Sequence, residues 1–172
     1  ATIVFGYYAT TVKLNANFEK TIPVNHPYIL NYLKHKVDMA GLGNSVRIAV
    51  ENTEGTIYTK EYLEALRKIN DKVFLVPGVD RMHMRSLWTP ATRWQAVTEI
   101  GFDAGPVISG NYDGSPKSLE EVRRNVERSG TIGTLVALNH KSSMITFPLL
   151  SMDPRTDKPL DYGEFCRTLE SI

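Results

Sequence analysis

The feature that most constrains this chain is the stretch from Ser45 to Leu87, SVRIAVENTEGTIYTKEYLEALRKINDKVFLVPGVDRMHMRSL. Val46, Ile48 and Val50 alternate with Arg47, Ala49 and Glu51, which is the period of a strand with one buried face. Asn52 to Gly55 supplies turn chemistry, and the Thr59 hydroxyl is placed to accept from the free N–H groups of a first helical turn. Tyr62, Leu66, Ile69 and Val73 then recur at three- and four-residue spacing, with Leu63 beside them, as one apolar helical stripe. Pro77-Gly78 ends the helix, and VDRMHMRSL reads as a second strand. A strand–helix–strand unit of this length predicts two parallel strands joined by a right-handed crossover. The expectation is an α+β fold with a split βαβ, ferredoxin-like core, in which TIGTLVALN and SMITFPLL supply the second half and a final strand is missing or supplied elsewhere.

The rest of the chain has to fit around that unit. Its 172 residues are enough for one sizeable core. With 20 Lys and Arg against 19 Asp and Glu, the net charge of +1 argues against a nucleic-acid partner, which needs a basic face or stripe. A single cysteine, Cys166, excludes an intramolecular disulfide and leaves the redox compartment open. Residues 1–12, ATIVFGYYATTV, carry no charge and lead to Lys13. Two readings stand for them: a buried core segment, or the outer end of a membrane helix with Tyr7, Tyr8 and Lys13 at the membrane–water boundary. Residues 13–44 read as a linker broken by Pro23 and Pro27, with a short helix from Pro27 to Lys34 and a Gly41–Asn44 turn. The main domain then runs over 45–172.

Beyond the second strand lies WTPATRWQAVTEIGFDAGPVISGNYDGSP, an irregular insertion rich in aromatics. Trp88, Trp94 and Phe102 are its candidates for an apolar substrate path; the plainer alternative has both tryptophans plugging the rim of the core. Ser118 and Glu121 have capping-box spacing, followed by a Leu119, Val122, Val126 stripe. Arg123, Arg124 and Arg128 alternate with Glu120, Glu121 and Glu127, which suits a solvated face. TIGTLVALN and SMITFPLL flank His140-Lys141-Ser142 as a hairpin with strands at 132–138 and 143–148, Pro148 bringing the second to an early finish or an edge. Asp161 and Glu164 offer a second capping box before a Phe165, Leu169, Ile172 stripe.

Chemistry-bearing clusters do not emerge. His26, His35, His83 and His140 have no metal-ligand spacing, Cys166 beside Phe165 reads as a buried inert thiol, and Glu99 and Asp103 have no acid–base partner. No catalytic residue, metal or cofactor is expected, and His83 reads as a satisfied side chain.

The blocks GLGNSVRIAVEN, LVPGVDRMHMRSLWTP, YDGSP, LVALNHKSSMITFPLL and DYGEF, taken in order, resemble the first large periplasmic loop of exporters in the resistance–nodulation–division superfamily, nearest its MmpL-like branch, the third hydrophobe/amphiphile efflux family. The VDR–SLWTP and NHKSSMI blocks are the most specific. The resemblance implies a porter-type domain of an inner-membrane protein, facing the periplasm, past which hydrophobic or lipid-like substrates move. It implies that residues 1–12 end the first membrane helix. Its implied partners are the membrane helices and second periplasmic loop of the same transporter, in a homo-oligomer; the proton-relay residues would lie in those helices. The alternative is a free-standing ferredoxin-like module that binds a ligand or regulates a partner.

Overall fold

The computed structural model describes residues 23, 25–35, 44–99 and 101–172. The expectations for residues 1–12 and for the Gly41–Gly43 turn fall outside them. The protein is a mixed α+β structure whose elements run α1 (Pro27–His35), β1 (Ser45–Glu51), α2 (Lys60–Leu75), β2 (Arg93–Thr98), β3 (Gly101–Pro106), α3 (Pro116–Arg128), β4 (Ser142–Pro148), β5 (Met152–Asp153), β6 (Lys158–Pro159) and α4 (Tyr162–Glu170). None of the helices among the described residues is long and apolar enough to cross a membrane. Helix α1 buries no residue.

Strand β4 organises the core. It pairs antiparallel with β1, in the register Val46↔Phe147, Ile48↔Ile145 and Val50↔Ser143 on one face. That face packs inward: Ile145 and Phe147 are wholly buried, with Val46, Ile48 and Val50 packed against the same cluster. Helix α2 contributes Tyr62, Leu63, Leu66 and Val73, α3 contributes Val122 and Val126, and α4 contributes Phe165, whose ring meets Phe147 edge-on at 6.4 Å. The stripes expected from the spacing all face this cluster, with Ile69, Leu119, Leu169 and Ile172 only partly buried at its edge. The Tyr62 hydroxyl ties α2 to both strands, 2.9 Å from the Val50 carbonyl it donates to and 2.7 Å from Ser143 Oγ. Burial raises the pKa of that hydroxyl.

The other edge of β4 is where expectation and structure part. Residues 79–87 do not form a second strand. Val79 bridges Leu149 and Arg85 bridges Thr146, both antiparallel, with a 3-10 turn, Arg81–His83, between. The cause is Asp80: its carboxylate accepts from Met82 N at 3.1 Å and lies 2.7 Å from His83 Nδ1, so the chain turns outward there. His83 thus has a partner, but in a turn rather than a strand. The hairpin before β4 is likewise reduced, to a bridge from Val136 to Ser143. His140, at φ 54°, closes its turn, and its ring nitrogen lies 2.7 Å from the Tyr58 hydroxyl. Strand β4 does finish at Pro148, although as the central strand rather than an edge.

Two smaller corrections concern α3 and α4. Helix α3 starts earlier than the Ser118 box suggests: Ser115 is its cap, accepting from Ser118 N at 3.3 Å, with Pro116 in the first turn. Asp113 fixes the approach by accepting from Ser115 N at 2.9 Å, and hydrogen bonds from the Ser115 side chain and backbone hold its carboxyl down at about 2. At α4, Asp161 caps as expected. Cys166, however, is exposed, because one residue beyond the buried Phe165 the helix has turned about 100° away from the core.

Candidate functional site

The aromatic insertion is ordered into a hairpin. Strands β2 and β3 pair antiparallel from Arg93↔Pro106 to Thr98↔Gly101. This register puts Trp94 opposite Gly105 and Val97 opposite Phe102, so Trp94 and Phe102 point to opposite faces. Phe102 is 87 % exposed at the outer end with Val97 at 80 %. Trp94 is half-buried at the base, roofed by the Arg128 guanidinium at 3.2 Å from its ring centroid; a Cβ on Gly105 would come within 3.0 Å of its Nε1.

Trp88 belongs elsewhere. Its Nε1 donates to the Leu63 carbonyl at 2.8 Å, its ring meets Tyr112 edge-on at 5.4 Å, and Arg67 lies over it at 5.1 Å. The SLWTP block forms a tight polar turn around it: Ser86 N donates to Thr89 Oγ1, Ser86 Oγ donates to buried Asn70 Oδ1 at 2.6 Å, and Thr89 Oγ1 reaches Thr92. Trp88 therefore fills the rim of the core. The three aromatics proposed for one wall are distributed over the core rim, the hairpin base and the hairpin tip. Of the three, Phe102 alone is fully presented to solvent.

Two cavities among the described residues offer places for a ligand. The larger, about 680 Å³, lies between the β5–β6 loop and α4 and is bordered by Asp153, Arg155, Lys158 and Glu164. Its charges offset one another, since Arg155 forms a two-point contact with Asp153 at 3.2 and 2.9 Å. That contact, led by the side-chain hydrogen bond, lowers the Asp153 pKa.

The second cavity, about 550 Å³, lies on the face of the sheet opposite the core. Arg47 of β1, Thr146 of β4 and Arg85 form one cross-strand row there, because directly paired residues share a face. Arg93, from the hairpin base, and the 129–134 loop complete the border. Sequence reasoning missed this row. The alternation in β1 places Arg47 on the outer face, but only the central position of β4 brings Arg85 alongside.

Among the described residues, no group of three or more His, Cys, Asp or Glu could hold a metal ion. Buried tyrosines are displaced from their ordinary values as well. Burial, followed by the Glu127 carboxylate, pushes the Tyr58 hydroxyl up to about 12, and burial raises Tyr112. Comparison with family models, with curated proteins and with solved structures finds no match for this chain.

Proposed function

We propose that this chain is a periplasmic porter-type part of a proton-driven exporter of the resistance–nodulation–division superfamily, MmpL-like, serving hydrophobic or lipid-like substrates. In this reading it performs no chemistry. It forms part of a conduit, with the membrane helices and second periplasmic loop of its own transporter as partners, within a homo-oligomer of the inner membrane.

The observation that carries the reading is the placement of β1 and the 79–85 segment on the two edges of β4. Thr146 exchanges both backbone hydrogen bonds with Arg85, at 2.7 and 2.9 Å, while its face neighbour on the other side is Arg47. Both segments run antiparallel to β4 and so parallel to each other, with α2 between them in sequence. A split βαβ unit has that arrangement, with Val79 and Arg85 standing for a shortened second strand. The VDR–SLWTP stretch meets β4 along this edge at Thr146 and Leu149, just beyond the NHKSSMI block.

The parent reading frame supplies the first test. It should encode a membrane helix completed by residues 1–12 and several more beyond Ile172, and a frame without them overturns the reading. In the full-length protein, efflux of an amphiphilic dye should require the β2–β3 hairpin. Replacing residues 95–104 with a short turn should abolish efflux while leaving the protein in the membrane; retained efflux would count against the conduit role.

A further inference from the structure

We propose that the face of the sheet carrying Arg47, Thr146 and Arg85 is a binding site for a phosphate-type oxyanion. The inference stands apart from the exporter reading, because it rests on the cavity's residues alone.

Charge is the first argument. Arg47, Arg85 and Arg93 border the 550 Å³ cavity, and no carboxylate does. None of the three forms an ion pair among the described residues. Arg93 makes one long side-chain hydrogen bond, 3.4 Å to the Ala104 carbonyl. Arg67, Arg123 and Arg155 have carboxylate partners on this protein, whereas Arg47, Arg85 and Arg93 stand together around one cavity without one among the described residues. Like charges held on one sheet face without a counter-ion repel, and an anion between them removes that cost.

Geometry is the second. Thr146 exchanges both backbone bonds with Arg85 and none with Arg47, so the two arginine Cα atoms are about 10 Å apart, the sum of a wide and a narrow antiparallel spacing. Two arginine side chains rooted at that separation on one face, both bordering the cavity, are long enough to reach one small group from opposite sides. Their planar forks match the paired oxygens of phosphate, and the Thr146 hydroxyl between them, which has no hydrogen bond among the described residues, is free to donate to a third. The carbonyl end of α3 borders the cavity at Ser129 and Gly130, and its negative partial charge opposes an anion. One of its carbonyls is satisfied locally: Ser129 N and Oγ both donate to Val126 O, at 3.2 and 2.8 Å. Three full positive charges outweigh what is left.

The volume exceeds that of a phosphate, and Leu135 and Met144 give the cavity an apolar side. The oxyanion can therefore be free phosphate or the headgroup of an amphiphile. Isothermal titration calorimetry of the 172-residue chain with inorganic phosphate, glycerol phosphate and short-chain phosphatidylglycerol below its micelle concentration distinguishes them. Saturable binding is expected for all three. A clear gain for the phosphatidylglycerol, abolished by Met144→Ser, identifies a lipid headgroup; equal binding identifies the free anion.

Arg47→Gln and Arg85→Gln should each weaken binding on the order of tenfold, the cost of one charge-assisted fork. Thr146→Val, which leaves the charge untouched, should weaken it a few-fold. Arg124→Gln, an exposed arginine on α3 that does not border the cavity, changes the net charge by the same amount and should leave binding unaltered. No saturable binding of any probe overturns the inference, and so does an Arg124→Gln loss equal to that of Arg47→Gln. Far-ultraviolet circular dichroism of each variant shows that the fold is retained; Arg47→Lys, which keeps the charge and loses the fork, should bind more weakly than the native chain if a variant lacking the charge unfolds. An exporter reading that fails on its reading frame leaves all of these outcomes unchanged.

Discussion

The β1–β4 ladder and the β2–β3 ladder are built from the same antiparallel hydrogen bonding, yet one is the core of the protein and the other stands away from it. In the first, every second residue of β4 from Ser143 to Phe147 is buried, and three helices cover that face. In the second, Gly105 is the sole buried residue, and both large side chains near its outer end are exposed. Hydrogen bonding alone does not hold a two-stranded ribbon in water. What distinguishes the pairs is the apolar area each removes from water, which is why the first is scaffold and the second is a surface available for contact.

The largest effect should come from the scaffold. Phe147 is wholly buried against Phe165, so Phe147→Ala removes apolar contact and leaves a cavity. A loss of about 3–5 kcal/mol is expected in urea unfolding, a large fraction of the stability of a typical domain. A loss below about 1 kcal/mol would mean the face is far less tightly packed than the structure has it, and the contrast between the two ladders would fall.

How far the sequence disclosed this contrast depends on the element. The buried face of β1 and the stripe of α2 were legible because each is one uninterrupted period: Val46, Ile48 and Val50 for the strand, Tyr62, Leu66 and Val73 for the helix. The 79–87 segment was not, since Asp80 uses its carboxylate to make a local turn that competes with strand pairing. The β2–β3 hairpin reads as irregular in sequence although Trp94 and Ala96 alternate with Arg93 and Gln95 and Gly101 sits at the turn with φ 135°. Flanking prolines and glycines masked that period. The arginine row was the least legible part, because Arg47 and Arg85 become neighbours only through β4, a strand much later in the chain.

Trp94 is the hinge of the comparison, since it attaches the hairpin to α3. Trp94→Ala should cost about 1–2 kcal/mol, the value of a half-buried ring with a cation above it and well short of a core tryptophan. A loss of 3–5 kcal/mol would place Trp94 in the core after all. If the proposed exporter role holds, the same variant in the transporter should reduce efflux by more than it reduces folded protein.

Acid should loosen the connection before the scaffold. Asp113 sits between the hairpin and α3, with its folded pKa depressed from 3.8 to about 2 by hydrogen bonds from Ser115. A depressed carboxyl contributes its stability above the unfolded value and loses it as pH falls through the folded one. The contribution is therefore full above about pH 4 and disappears toward pH 2. Tryptophan fluorescence should shift in that window before far-ultraviolet circular dichroism does, and Asp113→Asn should remove the early phase. Coincident transitions in both proteins would show that this approach to α3 is not an independently titrating element.

The smallest effect, and the sharpest control, is at the hairpin tip. Val97 and Phe102 face each other across the ladder, and such a pair can contribute a few tenths of a kcal/mol through mutual contact. Both are mostly exposed, so little more is lost when one is removed. Phe102→Ser should change the urea midpoint of the chain by the equivalent of less than about 0.5 kcal/mol, against the several expected at Phe147 for the same residue type. It also replaces the most exposed aromatic surface on the hairpin with a hydroxyl. If the tip meets an apolar cargo or a neighbouring part of a transporter, the variant should lose that contact at unchanged stability. A loss above about 1.5 kcal/mol in the isolated chain would instead show that Phe102 is covered in solution, and the hairpin would then belong with the scaffold.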